Sequence, residues 1–160
     1  MSRCSQIVGW SHLPFGKREE PDVETLMSHV SLSSLQHAGV EAHDVDGIFV
    51  GVMNQGFSKQ GFEASLVALA DPALRHVPAT RVENACATGS AAIYAAMDFI
   101  ESGRGRIALV IGAEKMTAIP SADVGSVLLG ASYQREEAVL GSFAGIFGRI
   151  AGEYFDRYGD

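Results

Sequence analysis

The sequence predicts an α/β fold with a mostly parallel sheet. The run at 46–52 is short, apolar and β-branched, as a buried strand is, and 79–85 and 106–113 are also interpreted as strands. The segments between them carry apolar residues three and four positions apart, as amphipathic or buried helices do. Strands that alternate with helices favour parallel pairing and right-handed connections, so we expect a layered structure with helices packed on the sheet.

Composition supports one substantial hydrophobic core. The 160 residues include 47% hydrophobic and only 19% charged residues, with 18 glycines and a net charge of −7. A chain of this length can bury a core of its own. The acidic balance lacks the lysine and arginine stripe that binds nucleic acid, so we expect no nucleic-acid partner.

The first half of the chain predicts two strands and two helices. "SQIVGW" at 5–10 is interpreted as a first strand. A helix then begins near Pro21 and ends at Gly39, because proline favours a first turn and glycine a helix end. The run at 46–52 predicts the second strand, and 62–70 predicts a helix that Asp71-Pro72 ends.

The second half continues the alternation and then departs from it. Residues 79–85 and 106–113 predict the third and fourth strands, separated by a helix at 88–102. Residues 116–141 are expected to be irregular, and 141–159 to form a final helix. The helix at 88–102 has no polar stripe, which predicts burial on every side, with sheet on both sides of it.

Cys86 is the candidate nucleophile. It precedes the apolar helix, where unpaired N–H groups and the positive end of the helix dipole favour thiolate over thiol. The turn also follows a strand, at the sheet edge where α/β folds build their sites. From position alone, a small buried residue filling a tight turn remains the alternative. Beside it we expect a turn bond from the Asn84 side chain and a helix cap at Thr88.

Other classes of site and location find little support in the sequence. Cys4 and Cys86 do not form a disulfide scaffold, and the five histidines are scattered without zinc-ligand spacing, so we expect no metal. The glycine-rich stretch at 102–106 joins a helix to a strand, the wrong order for a dinucleotide fingerprint. With no apolar run of membrane length and no signal peptide, we expect a cytoplasmic protein without membrane contact.

Four segments together resemble the thiolase family, particularly the sterol-carrier-protein-x type. "VENACATGSAAIYAAMDFIESGRGRIALVIGAEKMT" (82–117) is similar to that family's nucleophile segment. "IVGWSHLPFGK" (7–17) resembles its opening strand and loop, and "VDGIFVGVMNQG" (45–56) its second strand. "FGRIAGEYFDRYG" (147–159) is similar to the helix that begins its inserted loop region. The resemblance implies a thiolase-like layered fold, with residues 1–115 forming an amino-terminal core half and 116–160 beginning the loop region.

The resemblance also implies a thiolase-type acyltransferase. Cys86 would take an acyl group from a 3-ketoacyl-CoA or from acetyl-CoA, with coenzyme A thioesters as substrates and no permanently bound cofactor. A histidine would activate the thiol, a second cysteine would move the α-carbon proton, and backbone N–H groups would stabilise the oxyanion. The family's histidine motifs and second cysteine have no match in these 160 residues, so we expect the chain alone to be inactive. The intact enzyme is expected to be a homo-oligomer, a dimer or tetramer.

Two alternatives remain open. "ACATG" (85–89) also occurs around the nucleophile of ketosynthases, which act on acyl-carrier-protein substrates. A non-catalytic subunit or dimerisation module with the same fold is the second alternative. Cys86 argues against that second reading, and the unmatched general base argues for it.

Overall fold

The computed structural model describes residues 4–53 and 56–159. Two compact units divide them: residues 4–53 with 58–115, and residues 56–57 with 116–159. The first unit contains a parallel sheet of three strands, β1 (Gly47–Gly51), β2 (Ala79–Val82) and β3 (Ala108–Gly112). The predicted α/β class with a parallel sheet is therefore confirmed.

Helix α1 (Val23–Ala38) begins and ends as its sequence predicts. The Asp22 side chain caps the amino end by accepting a hydrogen bond from the backbone N–H of Thr25 at 2.8 Å. Gly39 follows the last turn with φ of 65°, a conformation that favours glycine. Met27 is completely buried against the sheet side of the helix, which ties α1 to the core.

β1 is the central strand, with β2 on one side and β3 on the other. Gly51 pairs with both Val82 and Gly112, so the carboxyl ends of the strands lie at one edge of the sheet. Side chains alternate across β1. The core cluster includes Ile48 and Val50, together with residues of α1 and of the helical segment 63–69.

The opposite side of β1 faces helix α3 (Thr88–Glu101). The Phe49 and Phe99 rings meet edge to face, with their centroids 5.5 Å apart. A Cβ on Gly47 would lie 3.0 Å from the Phe99 ring, so this glycine lets the helix approach the strand closely. Helices therefore cover both faces of the sheet, as in layered α/β folds.

The strand predicted at 5–10 is not present. Residues 5–10 have no strand assignment, and Ile7 and Trp10 are 80% and 67% exposed. A groove of about 760 Å³ is lined by this segment and by β3, so the segment does not pair with the sheet. The backbone N–H of Trp10 instead donates to the His37 ring at 3.2 Å.

Helix α3 is buried on one side only, which corrects the expectation of burial all round. Ala92 is 0% exposed and Ala96 is also buried, whereas Tyr94 is 65% exposed. Since the three described strands form one layer, they cover one side of the helix. The sequence pattern could not separate the two sides, because the residues on both are small or apolar.

Two other segments differ from their predictions in helical content. The segment at 62–70 is a short helix α2 (Glu63–Leu66) followed by a 3-10 turn (Val67–Leu69). Residues 116–141, expected to be irregular, include helices α4 (Ser121–Leu129) and α5 (Gln134–Glu137). Gly125 weakened the helical signal of α4, yet nothing packs within 4 Å of a Cβ there, so the helix tolerates it.

The predicted last helix is confirmed as α6 (Phe143–Tyr158). The Ser142 hydroxyl caps its amino end by accepting from the backbone N–H of Gly145 at 3.0 Å. Within the residues described, none of the helices is long and apolar enough to cross a membrane.

Candidate active site around Cys86

Cys86 lies in a 3-10 turn (Ala85–Ala87) between the end of β2 and the start of α3. The residue is exposed. The alternative of a buried cysteine filling a tight turn is therefore wrong. The position is at the carboxyl edge of the parallel strands, directly before a 14-residue helix whose first N–H groups point toward this end. Anionic groups are stabilised at such a helix end.

The residue before Cys86 has an unusual backbone conformation. Ala85 has φ of 46°, in the left-handed region that side chains other than glycine rarely adopt. Such a conformation costs on the order of 1–3 kcal/mol and persists where neighbouring contacts hold it. Strain of this kind is common at active sites, because it fixes a side chain in a position that relaxed backbone would not reach.

Three hydrogen bonds that involve side chains hold the turn, in addition to its backbone bonds. The Thr88 hydroxyl accepts from the backbone N–H of Asn84 at 2.8 Å and donates to the carbonyl of Ala85 at 2.7 Å. The Glu83 carboxylate accepts from the backbone N–H of Ala85 at 2.6 Å. The helix cap expected at Thr88 is wrong, because Ala87 is the N-cap residue of α3 and the Thr88 hydroxyl bonds within the preceding turn. Asn84 takes part in the turn through its backbone N–H.

Gly51 brings the start of α3 close to the sheet. A Cβ at this position would lie 3.1 Å from Cγ2 of Thr88 and 3.2 Å from its carbonyl oxygen. These distances are tighter than ordinary van der Waals contacts, so only glycine lets the helix end rest here. A glycine inside a strand pattern is a signal for such an approach, although the sequence interpretation did not use it.

The loops that leave β1 and β3 are tied together beside the strand ends. The Glu114 carboxylate, which follows β3, accepts a hydrogen bond from the backbone N–H of Met53, which follows β1. Arg81 of β2 donates to the carbonyls of Val52 at 3.0 Å and Met53 at 2.6 Å. These bonds join the ends of all three strands into one rim, which consists of the Arg81 and Glu114 side chains and the backbone of Val52 and Met53. The sequence interpretation missed both the Arg81 and the Glu114 side chains.

Arg81 also forms an ion pair with Glu63 of α2, with 3.6 Å between Nε and the carboxylate oxygen. The Glu63 side chain is only 1% exposed, so its charge needs this partner. The pair connects α2 to the rim.

Four of the five histidines of the described chain have side-chain contacts away from Cys86. The ring of His12 meets Phe15, His29 and His43 lie near carboxylates of Glu20 and Asp44, and His37 accepts from Trp10. Across residues 4–53 and 56–159, no group of three histidine, cysteine or acidic side chains could hold a metal ion. Within the described residues, the position of Cys86 is thus fixed by backbone bonds and by Thr88, and the four histidine contacts lie elsewhere.

Comparison with known proteins identifies the relatives of this chain. The model of the family described as thiolase, N-terminal domain, matches residues 5–144. An acetyl-CoA acetyltransferase of Methanocaldococcus jannaschii is 36% identical over 155 residues, covering 96% of this chain and 39% of the relative. An acetyl-CoA acetyltransferase of Methanothermobacter thermautotrophicus is 34% identical over 156 residues, covering 96% of this chain and 40% of the relative.

A similarity over a shorter part of the chain extends to a synthase. A beta-ketoacyl-[acyl-carrier-protein] synthase III of Oceanobacillus iheyensis is 30% identical over 102 residues, covering 63% of this chain and 32% of the relative. The chain spans about two-fifths of the length of the two acetyltransferases. The family match over most of the sequence, together with the two acetyltransferase relatives, shows that this chain belongs to the thiolase family.

Proposed function

We propose that this protein is a thiolase-type acyltransferase with Cys86 as its nucleophile. The observation that carries the proposal is the exposed thiol of Cys86 on a strained turn at the amino end of α3. The names of the two archaeal relatives support acetyl-CoA chemistry. The proposed substrates are coenzyme A thioesters, with no permanently bound cofactor.

In the cleavage direction, the Cys86 sulfur attacks the 3-keto carbon of a 3-ketoacyl-CoA. The bond between carbons 2 and 3 then breaks, leaving the shortened acyl group as a thioester on Cys86. The electron pair goes to carbon 2 of the departing acetyl-CoA, which takes up a proton. The thiol of free coenzyme A attacks the acyl-enzyme and restores the Cys86 thiol. Condensation of two acetyl-CoA molecules follows the same steps in reverse.

The site needs two further functions that the thiolase resemblance assigns to a histidine and a second cysteine. The histidine removes the thiol proton, and the second cysteine transfers the proton at the α-carbon. We propose that residues 1–115 form the amino-terminal core half that carries the nucleophile, and that 116–160 begin the loop region. On this proposal, the 160 residues alone have no thiolase turnover and associate or precipitate through the exposed side of α3.

The test is thiolytic cleavage of acetoacetyl-CoA by the full-length protein and by its Cys86→Ala and Cys4→Ala variants. Cys4 is also exposed, so its replacement controls for loss of a surface thiol. We expect Cys86→Ala to lower kcat/KM by about 10³-fold or more, as loss of a nucleophile does, and Cys4→Ala to leave it unchanged. Equal activity in all three proteins would contradict the assignment of Cys86.

A homo-oligomeric, cytoplasmic enzyme completes the proposal. The family resemblance supports a dimer or tetramer, and so does the exposed apolar side of α3, where Ile93 and Tyr94 are uncovered within the described chain. A cytoplasmic location suits a free catalytic thiol, since reducing compartments keep cysteines unpaired.

The second candidate is a ketosynthase-like condensing enzyme, which the similarity to the synthase of Oceanobacillus iheyensis favours. The two candidates differ in the carrier of the condensation product, which is coenzyme A for a thiolase and acyl-carrier protein for the synthase. We expect the full-length protein to form acetoacetyl-CoA from two acetyl-CoA molecules. Formation of acetoacetyl-acyl-carrier protein, and only when malonyl-acyl-carrier protein is supplied, would favour the ketosynthase. Formation of neither product would favour a non-catalytic subunit.

A further inference from the structure

We propose that Thr88 is the positioning residue for Cys86: its hydroxyl holds the strained turn that places the thiol. The proposal rests on the proposed function only in taking Cys86 as the nucleophile. Thr88 contributes no group to the substrate or the reacting atoms. Its role is to fix the backbone three and four residues earlier in the chain, at Ala85 and Asn84.

The hydroxyl of Thr88 has the contacts that this role requires. The residue is 7% exposed, and its oxygen uses both a donor and an acceptor function within the turn. It accepts from the N–H of Asn84 at 2.8 Å and donates to the carbonyl of Ala85 at 2.7 Å. The two bonds therefore hold the peptide N–H before the Asn84 α-carbon and the peptide carbonyl after the Ala85 α-carbon, so they span the segment that contains Ala85.

Ala85 is the residue whose conformation these bonds maintain. Its φ of 46° lies in the left-handed region, where the alanine Cβ is crowded by the backbone and which glycine alone adopts freely. Without the hydroxyl, the N–H of Asn84 and the carbonyl of Ala85 would each lose a side-chain bond, and the chain could relax toward negative φ. Because Cys86 follows Ala85 directly, that relaxation would move the thiol away from the amino end of α3.

The methyl group of Thr88 has a separate task. A Cβ on Gly51 would lie 3.1 Å from Cγ2 of Thr88. The methyl group therefore packs directly against Gly51 and supports the start of α3 on β1. Two substitutions separate the two tasks. Thr88→Val keeps the shape and removes both hydrogen bonds, whereas Thr88→Ser keeps the hydroxyl and removes the methyl.

The test measures the rate at which iodoacetamide alkylates Cys86 in the full-length protein, by peptide mapping. Cys4 is exposed and lies far from Cys86 in the sequence, so it gives an internal reference rate in the same sample. The matched control is Ser31→Ala, which removes another buried hydroxyl, bonded to the carbonyl of Met27 at 2.6 Å on α1. All rates are taken below the lowest Tm of the set.

We expect Thr88→Val to lower the Cys86 rate on the order of tenfold relative to Cys4, because the sulfur would leave the positive amino end of α3. Thr88→Ser should restore the rate to within about twofold of the unmodified protein, and Ser31→Ala should leave it unchanged. In thiolysis, Thr88→Val should lower kcat with little change in KM. A rate at Cys86 that does not change in Thr88→Val would overturn the proposal.

A second pair of variants tests the strained residue directly. Ala85→Gly makes positive φ free of steric cost, so the turn depends less on the hydroxyl. In the Ala85→Gly background, we expect Thr88→Val to lower the Cys86 rate by less than threefold. If Thr88→Val alone does not fold, the Cys86 rates of Ala85→Gly and of Ala85→Gly with Thr88→Val still test the proposal. An equally large loss in both backgrounds would contradict a role through Ala85.

These outcomes are distinct from failure of the proposed function. If the unmodified protein shows no thiolysis but Cys86 alkylation still depends on Thr88, the proposed function fails and the positioning role stands. If thiolysis depends on Cys86 but neither rate responds to Thr88, the positioning role fails and the proposed function stands.

Discussion

Gly51 at the end of β1 supports Thr88 at the start of α3. A Cβ on Gly51 would lie 3.2 Å from the carbonyl oxygen of Thr88 as well as 3.1 Å from its side chain. The backbone oxygen cannot rotate away as a side chain could. The central strand therefore sets the distance between the sheet and the first turn of α3. This distance also fixes the position of the turn that carries Cys86.

Gly51→Ala should be destabilising for this reason. The added methyl group must push the first turn of α3 from the sheet, and overpacking of this kind costs about 1–3 kcal/mol. Gly61→Ala is the control, because nothing lies within 4 Å of a Cβ there. Urea unfolding of both variants measures the free energy of unfolding. Equal values for the two variants would show that the helix end is not seated on Gly51.

Ala92→Leu and Gly89→Leu should have opposite effects on stability. Ala92 is 0% exposed against the sheet, so a leucine there should lower the free energy of unfolding by about 1–3 kcal/mol. A Cβ on Gly89 meets nothing within 4 Å, and replacing a helical glycine removes a cost of up to about 1 kcal/mol.

Thermal unfolding of the 160-residue chain tests this contrast, at concentrations low enough for light scattering to show a monomer. A large loss of stability in Gly89→Leu would mean that something covers the outer side of α3 in solution. That result would support the sequence-based expectation of a helix enclosed on both sides and would overturn the one-sided packing.

Asp46 should make the protein less stable in acid. Its carboxylate accepts from the backbone N–H groups of Arg106 at 2.7 Å and Ile107 at 3.1 Å. The N–H of Arg106 first, and then that of Ile107, hold the pKa of the Asp46 carboxyl below its usual value, against an opposing effect of burial. A lowered pKa in the folded state means that the carboxylate stabilises the fold above the unfolded pKa of about 3.9.

This contribution is lost as the pH falls through the lowered folded value. Asp46→Asn should therefore reduce stability near pH 7 and flatten the dependence on pH below about 4. Asp98→Asn, on the exposed side of α3, is the matched control. The measurement is the urea midpoint of unfolding from pH 2.5 to 7 for the unmodified protein and for both variants. If Asp46→Asn and the control gave parallel curves, the two backbone bonds would not matter to folding.

Local signals in the sequence predicted much of the fold. The end of helix α1 was found because Gly39 marks it by chemistry that needs no distant partner, and the start was placed at Pro21, one residue before the Asp22 cap. The strand at 5–10 was predicted wrongly because pairing depends on a neighbouring strand, and the groove beside β3 separates the two. Apolar alternation shows that a segment could pair, not that a partner edge lies within reach.

At the site, the sequence predicted the position of Cys86 but not its support. The cysteine stands out because a strand and a helix meet there. The contacts of Thr88 depend on the positive φ of Ala85, which no residue pattern signals, since alanine is not a residue expected in that region. The bond from Met53 to Glu114 joins residues 61 positions apart and depends on the sheet order.

The most direct test of the central claim is the mass of the covalent intermediate. The full-length protein is mixed with acetyl-CoA labelled in the acetyl group, quenched in acid, and digested for peptide mapping. We predict one acetyl group as a thioester on the peptide that contains Cys86, in Cys4→Ala as in the unmodified protein. Label on Cys4, or thiolase turnover without any label on Cys86, would contradict the account.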